Sequence, residues 1–154
     1  MSQKAVFLDR DGVINDNSKS VDHPEDLILF PWAGPAIRRL NQAGYLVFIV
    51  TNQGGVELGF LTEAELAAIH SHLEALLREH GAKIDEIVYC PHFHEENDCR
   101  KPKPGMIQSL AAKYPIILPE SWMIGDRESD IQAGNAAGCR TIKLGKPSPQ
   151  ADFT

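Results

Sequence analysis

Two aspartates near the start of the chain have a spacing that suits one phosphoryl-transfer reaction. Asp9 and Asp11 follow directly after the apolar run Ala5 to Leu8, and Gly12 comes next. Carboxylates two residues apart repel each other unless a cation joins them. An aspartate can attack phosphorus, while a divalent cation such as Mg²⁺ offsets the negative charge and aligns the reacting oxygens. The stretch therefore predicts a magnesium-dependent site.

Residues with matching chemistry occur later in the chain. Thr51 supplies a hydroxyl after another apolar run, Lys101 supplies a cation, and Asp126 opens an acidic stretch that contains Asp130. A hydroxyl and an ammonium can bind a transferring phosphoryl group, and a further carboxylate can bind the same Mg²⁺. These residues extend the prediction from one motif to a complete site.

Ordinary structural roles are the alternative for each of these residues. A single aspartate can cap a helix or close a turn, and a single lysine can be a solvated loop charge. Such roles would have to account for all the polar stretches at once. We therefore reject them for Asp9, Asp11, Thr51, Lys101 and Asp126. For Asp130, Arg127 and Glu128 both interpretations stay open.

The apolar runs and the periodic segments indicate which elements position these residues. The runs at residues 4–9 and 45–52 read as buried strands, and the helical spacing over 35–43 places a helix between them. Thr62 is predicted to cap a helix that ends before Gly81. Further strands are predicted at 86–90, 121–126 and 140–144, with helices at 105–113 and 130–137.

This alternation predicts an α/β fold, a Rossmann-like doubly wound and mostly parallel sheet without a large cap domain. Residues 1–146 form a single domain, and the tail 147–154 is expected to fray. Ligands bind at the carboxyl ends of such strands. The residues beyond four predicted strands are 9–12, 51–55, 90–101 and 125–130, which hold all the candidate chemistry.

Composition and charge argue against some classes of partner. The net charge of −6 and a pI near 5.4 argue against a nucleic-acid surface. No apolar stretch approaches the roughly 20 residues of a membrane span, so we expect a cytoplasmic protein without membrane contact. Three cysteines do not suggest a disulfide framework. The expected partner is a small phosphorylated metabolite, and the expected state is a monomer.

Four motifs resemble those of a known family. DRDGVIN, VTNQ, RKPKP and GDRESD resemble, in the same order, the four signatures of haloacid dehalogenase (HAD) phosphatases, and the match covers nearly the whole chain. The resemblance implies that Asp9 is the nucleophile. It also implies that Asp11 first protonates the leaving oxygen and then activates water.

The same resemblance implies roles for the residues of the later motifs. Thr51 would bind the phosphoryl group with help from Asn52 and Gln53, and Lys101 would neutralise charge on the nucleophile and the phosphate. Mg²⁺ would be held by the Asp9 and Asp126 side chains and by the Asp11 backbone carbonyl. Asp130 would orient Lys101 or a metal-bound water.

The loop CPHFHEENDCRKPKP resembles a subgroup that contains D-glycero-D-manno-heptose 1,7-bisphosphate phosphatases and histidinol-phosphate phosphatases. In that subgroup four ligands bind a structural Zn²⁺, and Cys90, His92 and Cys99 match three of them. Asn97 stands where the fourth is expected, and His94 is the substitute that would complete a tetrahedral set. The alternative is a loop that has lost zinc and closes through hydrogen bonds.

The resemblance also bears on the substrate. Arg100 matches an arginine that recognises substrate in the subgroup, although it can also be a solvated loop charge. Lys19, Ser20 and Val21 replace a frequent Gly-Tyr-Val. We expect Mg²⁺-dependent removal of the 7-phosphate from a heptose 1,7-bisphosphate, with histidinol phosphate as the alternative substrate. A phosphate-binding protein without turnover is a further alternative, whereas a phosphomutase would need a cap to exclude water.

Overall fold

A five-stranded sheet forms the centre of the structure, a computed structural model that describes residues 2–94 and 96–154. Across the sheet the strand order is β3-β2-β1-β4-β5, and all four strand pairings are parallel. The predicted doubly wound α/β architecture is confirmed. The strands are β1 (Ala5–Leu8), β2 (Leu46–Asn52), β3 (Glu86–Cys90), β4 (Trp122–Gly125) and β5 (Arg140–Lys143).

Four helices cover the sheet, and they separate its apolar contacts into two layers. On one face Ile37 of the first helix and Leu66 of the second pack against Val47 and Ile49. On the other face the third helix packs against Phe7 and Phe48 of the strands, and the fourth contacts β4 and β5. The helices are α1 (Ala33–Gln42), α2 (Glu63–Glu79), α3 (Gly105–Lys113) and α4 (Glu128–Ala137).

Local capping explains where the helices begin. The Thr62 hydroxyl accepts a hydrogen bond from the Glu65 amide, and the Glu65 carboxylate accepts one from the Thr62 amide, so α2 starts with the predicted cap. Helix α4 starts at Glu128, two residues earlier than predicted. The Asp130 carboxylate accepts a hydrogen bond from the Arg127 amide, which places Asp130 inside the first turn.

The chain order places a crevice beside the end of β1. From β1 the chain moves outward through β2 and β3, and then returns to pair β4 on the opposite side of β1. In open parallel sheets, the loops at such a reversal point diverge and leave room for a ligand. The connections β1–β2 and β2–β3 contain only α1, α2 and a short 3₁₀ turn at Pro24–Asp26, which agrees with the expected lack of a large cap.

The C-terminal tail differs from the expectation that it frays. Phe153 pairs with Ile142 of β5, and its amide donates to the Thr141 carbonyl at 3.1 Å. The Asp152 carboxylate also accepts a hydrogen bond from the Thr141 amide. The edge of β5 offers unpaired backbone groups, and the tail satisfies them. None of the described helices is long and apolar enough to cross a membrane.

Candidate active site

Asp9 lies at the centre of the site because it follows the central strand β1. Its amide donates to the Ile124 carbonyl of β4 at 3.1 Å, which fixes the backbone. Its side chain is buried, and Oδ1 accepts hydrogen bonds from Lys101 Nζ at 3.0 Å and the Arg10 amide at 2.8 Å. Among the described residues both bonds use Oδ1, so Oδ2 is the oxygen that can face an incoming phosphorus.

Lys101 is buried between carboxylates. Besides Asp9, its Nζ donates to Asp130 Oδ1 at 2.6 Å and to the Val50 carbonyl at 2.9 Å. Burial by itself would lower the pKa of Lys101, but the negative charges of Asp9 and Asp130 outweigh that effect and raise the pKa. The lysine is therefore a fixed positive charge at the nucleophile.

Asp126 brings a further carboxylate to the same cluster. One oxygen each from Asp9, Asp126 and Asp130 lie within 4.8 Å of one another. Burial raises the pKa of Asp126, and the charge of Asp9 adds to the effect. Its Oδ1 is buried, with no hydrogen-bond partner among the described residues. Three carboxylates against one lysine leave this cluster with an excess of negative charge.

Mg²⁺ fits this cluster on three grounds. The ligands are hard oxygens, which Mg²⁺ prefers, and opposite ligands of an octahedral ion with bonds of about 2.1 Å lie roughly 4 Å apart. A divalent cation would offset the excess charge and give the buried Asp126 oxygen a partner. Burial, followed by the charge of Asp130, raises the pKa of Asp9. The ionised form of Asp9 is therefore disfavoured, and a bound cation would stabilise it.

Two glycines allow this close packing of acids. Gly12 has φ +84°, and a Cβ at this position would clash with the Asp126 carboxylate. A Cβ on Gly125 would clash with the Asp130 side chain. Glycine is required where a side chain approaches the backbone so closely. The two motifs thus depend on glycine for the approach of their acids.

Asp130 uses both of its oxygens within the protein. Oδ1 accepts from Lys101 and Oδ2 accepts from the Arg127 amide, and the residue is only 1% exposed. These contacts are those of a residue that orients Lys101, the first of the two roles that the family resemblance allows. They also leave Asp126, whose Oδ1 has no partner among the described residues, as the acid that can turn toward a cation.

The last two residues of β2 and the residue that follows them contact one another and the loop that carries Lys101. Thr51 is buried, and its hydroxyl accepts a hydrogen bond from Gln53 Nε2 at 3.0 Å. The side-chain amide of Asn52 donates to the Lys101 carbonyl and accepts from the Lys101 amide. Asn52 thus holds the Lys101 backbone beside β2, a structural contact that sequence reasoning did not anticipate.

Asp11 is held by donors from three side chains. Arg10 donates through Nε and Nη2 to the two carboxylate oxygens at 2.9 and 3.1 Å, and Asn15 and Gln53 add further hydrogen bonds. Burial would raise the pKa of Asp11, but the charge of Arg10 and these hydrogen bonds prevail and lower it. The lowered pKa keeps Asp11 ionised at neutral pH.

Two adjoining cavities meet at Asp11. The smaller one, the phosphate pocket, is a polar space of about 60 Å³ lined by Asp9, Asp11, Thr51, Asn52, Lys101, Arg127, Ser129 and Asp130. The larger one, the outer cleft, has about 280 Å³, and its lining includes Asp11, Lys19, Gln53, Phe60 and Arg127. Asp11 and Arg127 belong to both, so a phosphate ester can extend from one cavity into the other past Asp11.

Arg100 lies beside the site but outside the lining of these two cavities. Its Nη1 donates to the His92 carbonyl at 3.1 Å, and its guanidinium lies 5.4 Å from the Phe93 ring centre. Its Nε is buried without a hydrogen-bond partner among the described residues. A substrate contact by Arg100 stays a prediction.

The structure differs from the zinc prediction at the two cysteines. Cys90 and Cys99 form a disulfide, so in this state neither sulfur is a thiolate that can bind zinc. His92 Nδ1 lies 3.9 Å from a Glu57 oxygen, and the His94 ring packs edge-on against Phe93. Among the described residues, the acid cluster at Asp9 is the only group placed to hold a metal ion. Nothing in the chain's cysteine count indicated this pairing.

Sequence reasoning also missed two residues behind Asp11. Arg10 is 2% exposed, and its Nη1 lies 3.1 Å from Nε2 of His70 on α2. One signal was present: His70 follows Ile69 and precedes Leu73 by three, so it borders the buried face of α2.

An aspartate beside a buried lysine, a carboxylate cluster fit for Mg²⁺ and a second acid at the pocket boundary define a phosphoryl-transfer site. On a doubly wound sheet with the nucleophile after β1, this is the arrangement of the HAD phosphatases that the motifs resemble. The family model described as HAD-hydrolase-like matches residues 98–146.

Relatives with established names match over most of the chain. A D-glycero-β-D-manno-heptose-1,7-bisphosphate 7-phosphatase of Pseudomonas putida is 42% identical over 147 residues, which cover 93% of this chain and 84% of the relative. The enzyme of the same name from Rhodopseudomonas palustris is 45% identical over 142 residues, which cover 87% and 79%. The chain therefore belongs to the HAD phosphatase family.

A solved structure supports the same assignment. The D,D-heptose 1,7-bisphosphate phosphatase of B. bronchiseptica, crystallised with magnesium and phosphate, superposes with a TM-score of 0.89 at 34% identity. The superposition covers 99% of this chain and 92% of that one. That relative contains magnesium, the ion that the acid cluster described above fits.

Proposed function

We propose that this chain hydrolyses a sugar phosphate in a Mg²⁺-dependent reaction through an aspartyl-phosphate on Asp9. The observation that carries the proposal is the cluster at the end of β1, where Asp9 lies 3.0 Å from Lys101 Nζ beside the unpartnered buried Oδ1 of Asp126. Asp9, Asp126 and the Asp11 carbonyl are the proposed ligands. Bound Mg²⁺ would neutralise the acids and polarise the phosphoryl oxygens.

Asp9 and Asp11 divide the chemistry between them. Asp9 Oδ2 attacks phosphorus, and the bond from phosphorus to the sugar oxygen breaks as that oxygen takes a proton from Asp11. The now ionised Asp11 then accepts a proton from the water that attacks the aspartyl-phosphate, which restores Asp9 and releases phosphate. The negative charge of a bound phosphate raises the pKa of Asp11, so substrate binding favours the protonated form.

Thr51 and Lys101 bind the phosphoryl group during both steps. Lys101 is fixed by Asp9, Asp130 and the Val50 carbonyl, so it places a positive charge at the pocket without the cost of reordering a flexible side chain. Thr51 lines the same pocket. Asp130 keeps Lys101 in place, and Asn52 and Gln53 hold the backbone and side chains that surround the phosphate.

The preferred substrate in this proposal is D-glycero-β-D-manno-heptose 1,7-bisphosphate, with the 7-phosphate removed. Relatives of that name cover most of the chain, and the outer cleft supports the choice. Its lining contains the exposed cations Lys19 and Arg127 against one acid, Asp22, apart from the Arg10–Asp11 pair. The second phosphate of a bisphosphate would meet a positive rim there.

Histidinol phosphate is the alternative, and the same cleft argues against it. That substrate carries an ammonium group and an imidazole beyond its phosphate. Both cations of the rim would repel the ammonium, whereas they attract a phosphate. The outer cleft therefore favours the bisphosphate by the sign of its charge.

The first experiment compares kcat/KM for the two substrates by phosphate release at saturating Mg²⁺. We expect a clear preference for the heptose bisphosphate and no turnover in excess chelator. The Asp9→Asn variant should lose at least about a thousandfold in kcat. A preference for histidinol phosphate would overturn the substrate assignment, and near-normal kcat in Asp9→Asn would overturn the mechanism.

A second variant pair tests the magnesium ligands. Asp126→Asn should raise the Mg²⁺ concentration for half-maximal activity at least about tenfold, because an amide oxygen carries no charge. Glu128→Gln is the matched control, since Glu128 is exposed and lies two residues away. An equal shift in both variants would mean that only the overall charge matters.

For the reduced chain we propose that Cys90, His92, His94 and Cys99 bind a structural Zn²⁺. Reduction of the disulfide would restore the two thiolates, and two histidines of the same loop complete a tetrahedral set. Metal analysis of protein purified with reductant and without chelator should give about one zinc per chain, lowered in His92→Ala. Zinc-free reduced protein would favour the alternative, a loop that has lost zinc and closes through hydrogen bonds.

We also propose that the chain acts as a cytoplasmic monomer on a small metabolite, without nucleic-acid or membrane partners, and that residues 1–146 form its single catalytic domain. The net charge of −6 disfavours nucleic acid. Size-exclusion chromatography with light scattering should give the mass of one chain, near 17.0 kDa. A dimer at micromolar concentration would contradict the monomer.

A further inference from the structure

Arg10 is a buried charge that does not line the phosphate pocket. Its side chain is 2% exposed and turns to the carboxylate of Asp11, where two of its nitrogens donate to the two oxygens. Such a paired contact fixes the plane of a carboxylate as well as its position. The orientation of Asp11 therefore depends on where the Arg10 guanidinium is held.

His70 holds the remaining side of that guanidinium. It is a buried residue of α2, and its Nε2 lies 3.1 Å from Arg10 Nη1. An arginine can only donate, so Nε2 must be the unprotonated ring nitrogen and the proton of the neutral ring is on Nδ1. Burial, followed by the positive charge of Arg10, lowers the pKa of His70 to about 4, which agrees with a neutral ring at pH 7.

The contact lies where the reaction needs an oriented acid. Asp11 is at the boundary between the phosphate pocket and the outer cleft, so the bond to the leaving oxygen of a bound ester would cross this boundary. Asn15 and Gln53 also donate to Asp11, at 3.0 and 3.3 Å. Arg10 is the only charged donor among the described partners of Asp11. His70 accepts a hydrogen bond from the other side of the Arg10 guanidinium.

We propose that His70 is a positioning residue for the acid–base step: by accepting a hydrogen bond from Arg10 Nη1, it fixes the Asp11 carboxylate at the leaving oxygen. This inference rests on the proposed function, because it assigns Asp11 the protonation of the leaving group. His70 itself touches neither substrate nor metal ligand. It acts from α2 through Arg10, which follows β1 by two residues.

This role predicts that a substitution of His70 lowers kcat by an amount that depends on the leaving group of the substrate. A sugar alkoxide is a poor leaving group and needs the proton of Asp11 as its bond to phosphorus breaks. A p-nitrophenolate leaves as the anion, so its departure gains little from an acid. A misplaced Asp11 therefore slows hydrolysis of the sugar phosphate and spares much of the hydrolysis of p-nitrophenyl phosphate.

The test compares His70→Leu and His70→Gln in the full chain with the two substrates. Leucine fills the space without an acceptor, whereas the glutamine carbonyl can accept from Arg10. We expect kcat for the heptose bisphosphate to fall at least about tenfold in His70→Leu, kcat for p-nitrophenyl phosphate to fall less than about threefold, and KM to change little. His70→Gln should recover most of the loss.

His72→Leu is the matched control, a second histidine of α2 that is half-buried, and it should behave as the wild type on both substrates. An equal loss on both substrates in His70→Leu, or no loss on either, would overturn the inference. So would a folded His70→Gln variant that loses at least about tenfold in kcat for the heptose bisphosphate relative to the wild type, a result that needs no measurement on His70→Leu. Wild-type protein that hydrolyses no phosphate ester would instead refute the proposed function.

Discussion

The phosphate pocket and the loop between Cys90 and Lys101 lie at the same edge of the sheet, but they are held in different ways. In the pocket, Lys101 joins Asp9 and Asp130, residues that are 92 and 29 positions away in the chain. In the loop, Cys90 pairs with Cys99, and Arg100 with the His92 carbonyl. Partners that are distant in the chain fix the pocket, whereas the loop combines these two local links with a contact to Glu57, whose carboxylate accepts a hydrogen bond from the Phe93 amide.

This difference predicts that substitutions in the two regions have different effects on catalysis and stability. A pocket residue stabilises elements that are far apart in sequence, so its loss should reduce both catalysis and stability. A loop residue mainly restrains its own segment, so its loss should reduce stability or substrate affinity and leave the chemistry intact. Four changes, taken in order of expected effect, test the contrast.

Lys101→Met should have the largest effect. The methionine keeps much of the side-chain volume but leaves Asp9 and Asp130 buried without their cation, a change that costs about 3–5 kcal/mol in the free energy of unfolding. kcat should fall at least about a thousandfold. Denaturant unfolding and phosphate release measure the two effects.

Lys103→Met is the control for Lys101→Met. Lys103 lies in the same loop but is partly exposed, and its described side-chain partners are Asp98 at 3.9 Å and the Glu96 carbonyl. A surface pair of this kind contributes about 0–1 kcal/mol. Equal losses in the two variants would show that the pocket is no more dependent on distant partners than the loop.

His70 predicts a pH effect on stability. Its pKa in the folded chain is lowered to about 4 from an ordinary value near 6.5, so between these pH values the unfolded chain binds more protons. Stability is therefore lost as the pH falls through this window, at up to about 1.4 kcal/mol per pH unit from this group.

The His70 effect is measured as a difference between proteins. Unfolding free energies of wild type and His70→Gln at pH 7, 6, 5 and 4 should show a shallower decline in the variant. Carboxylates that titrate in the same range are common to both chains and cancel. Parallel curves would mean that His70 does not titrate differently on folding.

Cys99→Ser tests the loop. In oxidised protein it removes the link to Cys90, and the free energy of unfolding should fall by about 2 kcal/mol because the unfolded chain gains freedom. kcat for p-nitrophenyl phosphate should change less than about threefold, since Lys101 keeps its contacts in the pocket. In reductant with excess chelator, which removes both the disulfide and any zinc bound to the loop, the difference in stability should nearly vanish. A large loss of kcat would show that the loop and the pocket are coupled.

Lys19→Gln should have the smallest effect. Lys19 is exposed at the rim of the outer cleft, so its charge should change KM for the bisphosphate by about threefold to tenfold and leave kcat unchanged. KM for a monophosphate should hardly change. Lys146→Gln, a lysine of the exposed C-terminal segment, is the control. An equal change in KM for both substrates would show that the outer cleft does not bind the second phosphate.

The sequence by itself determined the sheet, the helices and the acids of the site. Alternating apolar runs and helical stripes are local patterns, and parallel strands bring their carboxyl ends to one edge whatever the details of packing. The convergence of Asp9, Thr51, Lys101 and Asp126 followed from that rule and from the motifs.

Tertiary structure decided the contacts that no local pattern encodes. The pairing of Cys90 with Cys99, the anchoring of the tail at β5 and the contact of Arg10 with His70 join groups whose meeting depends on how loops and helices pack. A buried polar group takes whatever partner the packing offers, because an unpaired one costs about 1–3 kcal/mol. Types and spacing of residues thus predicted the chemistry, while packing chose which neighbour orients each reacting group.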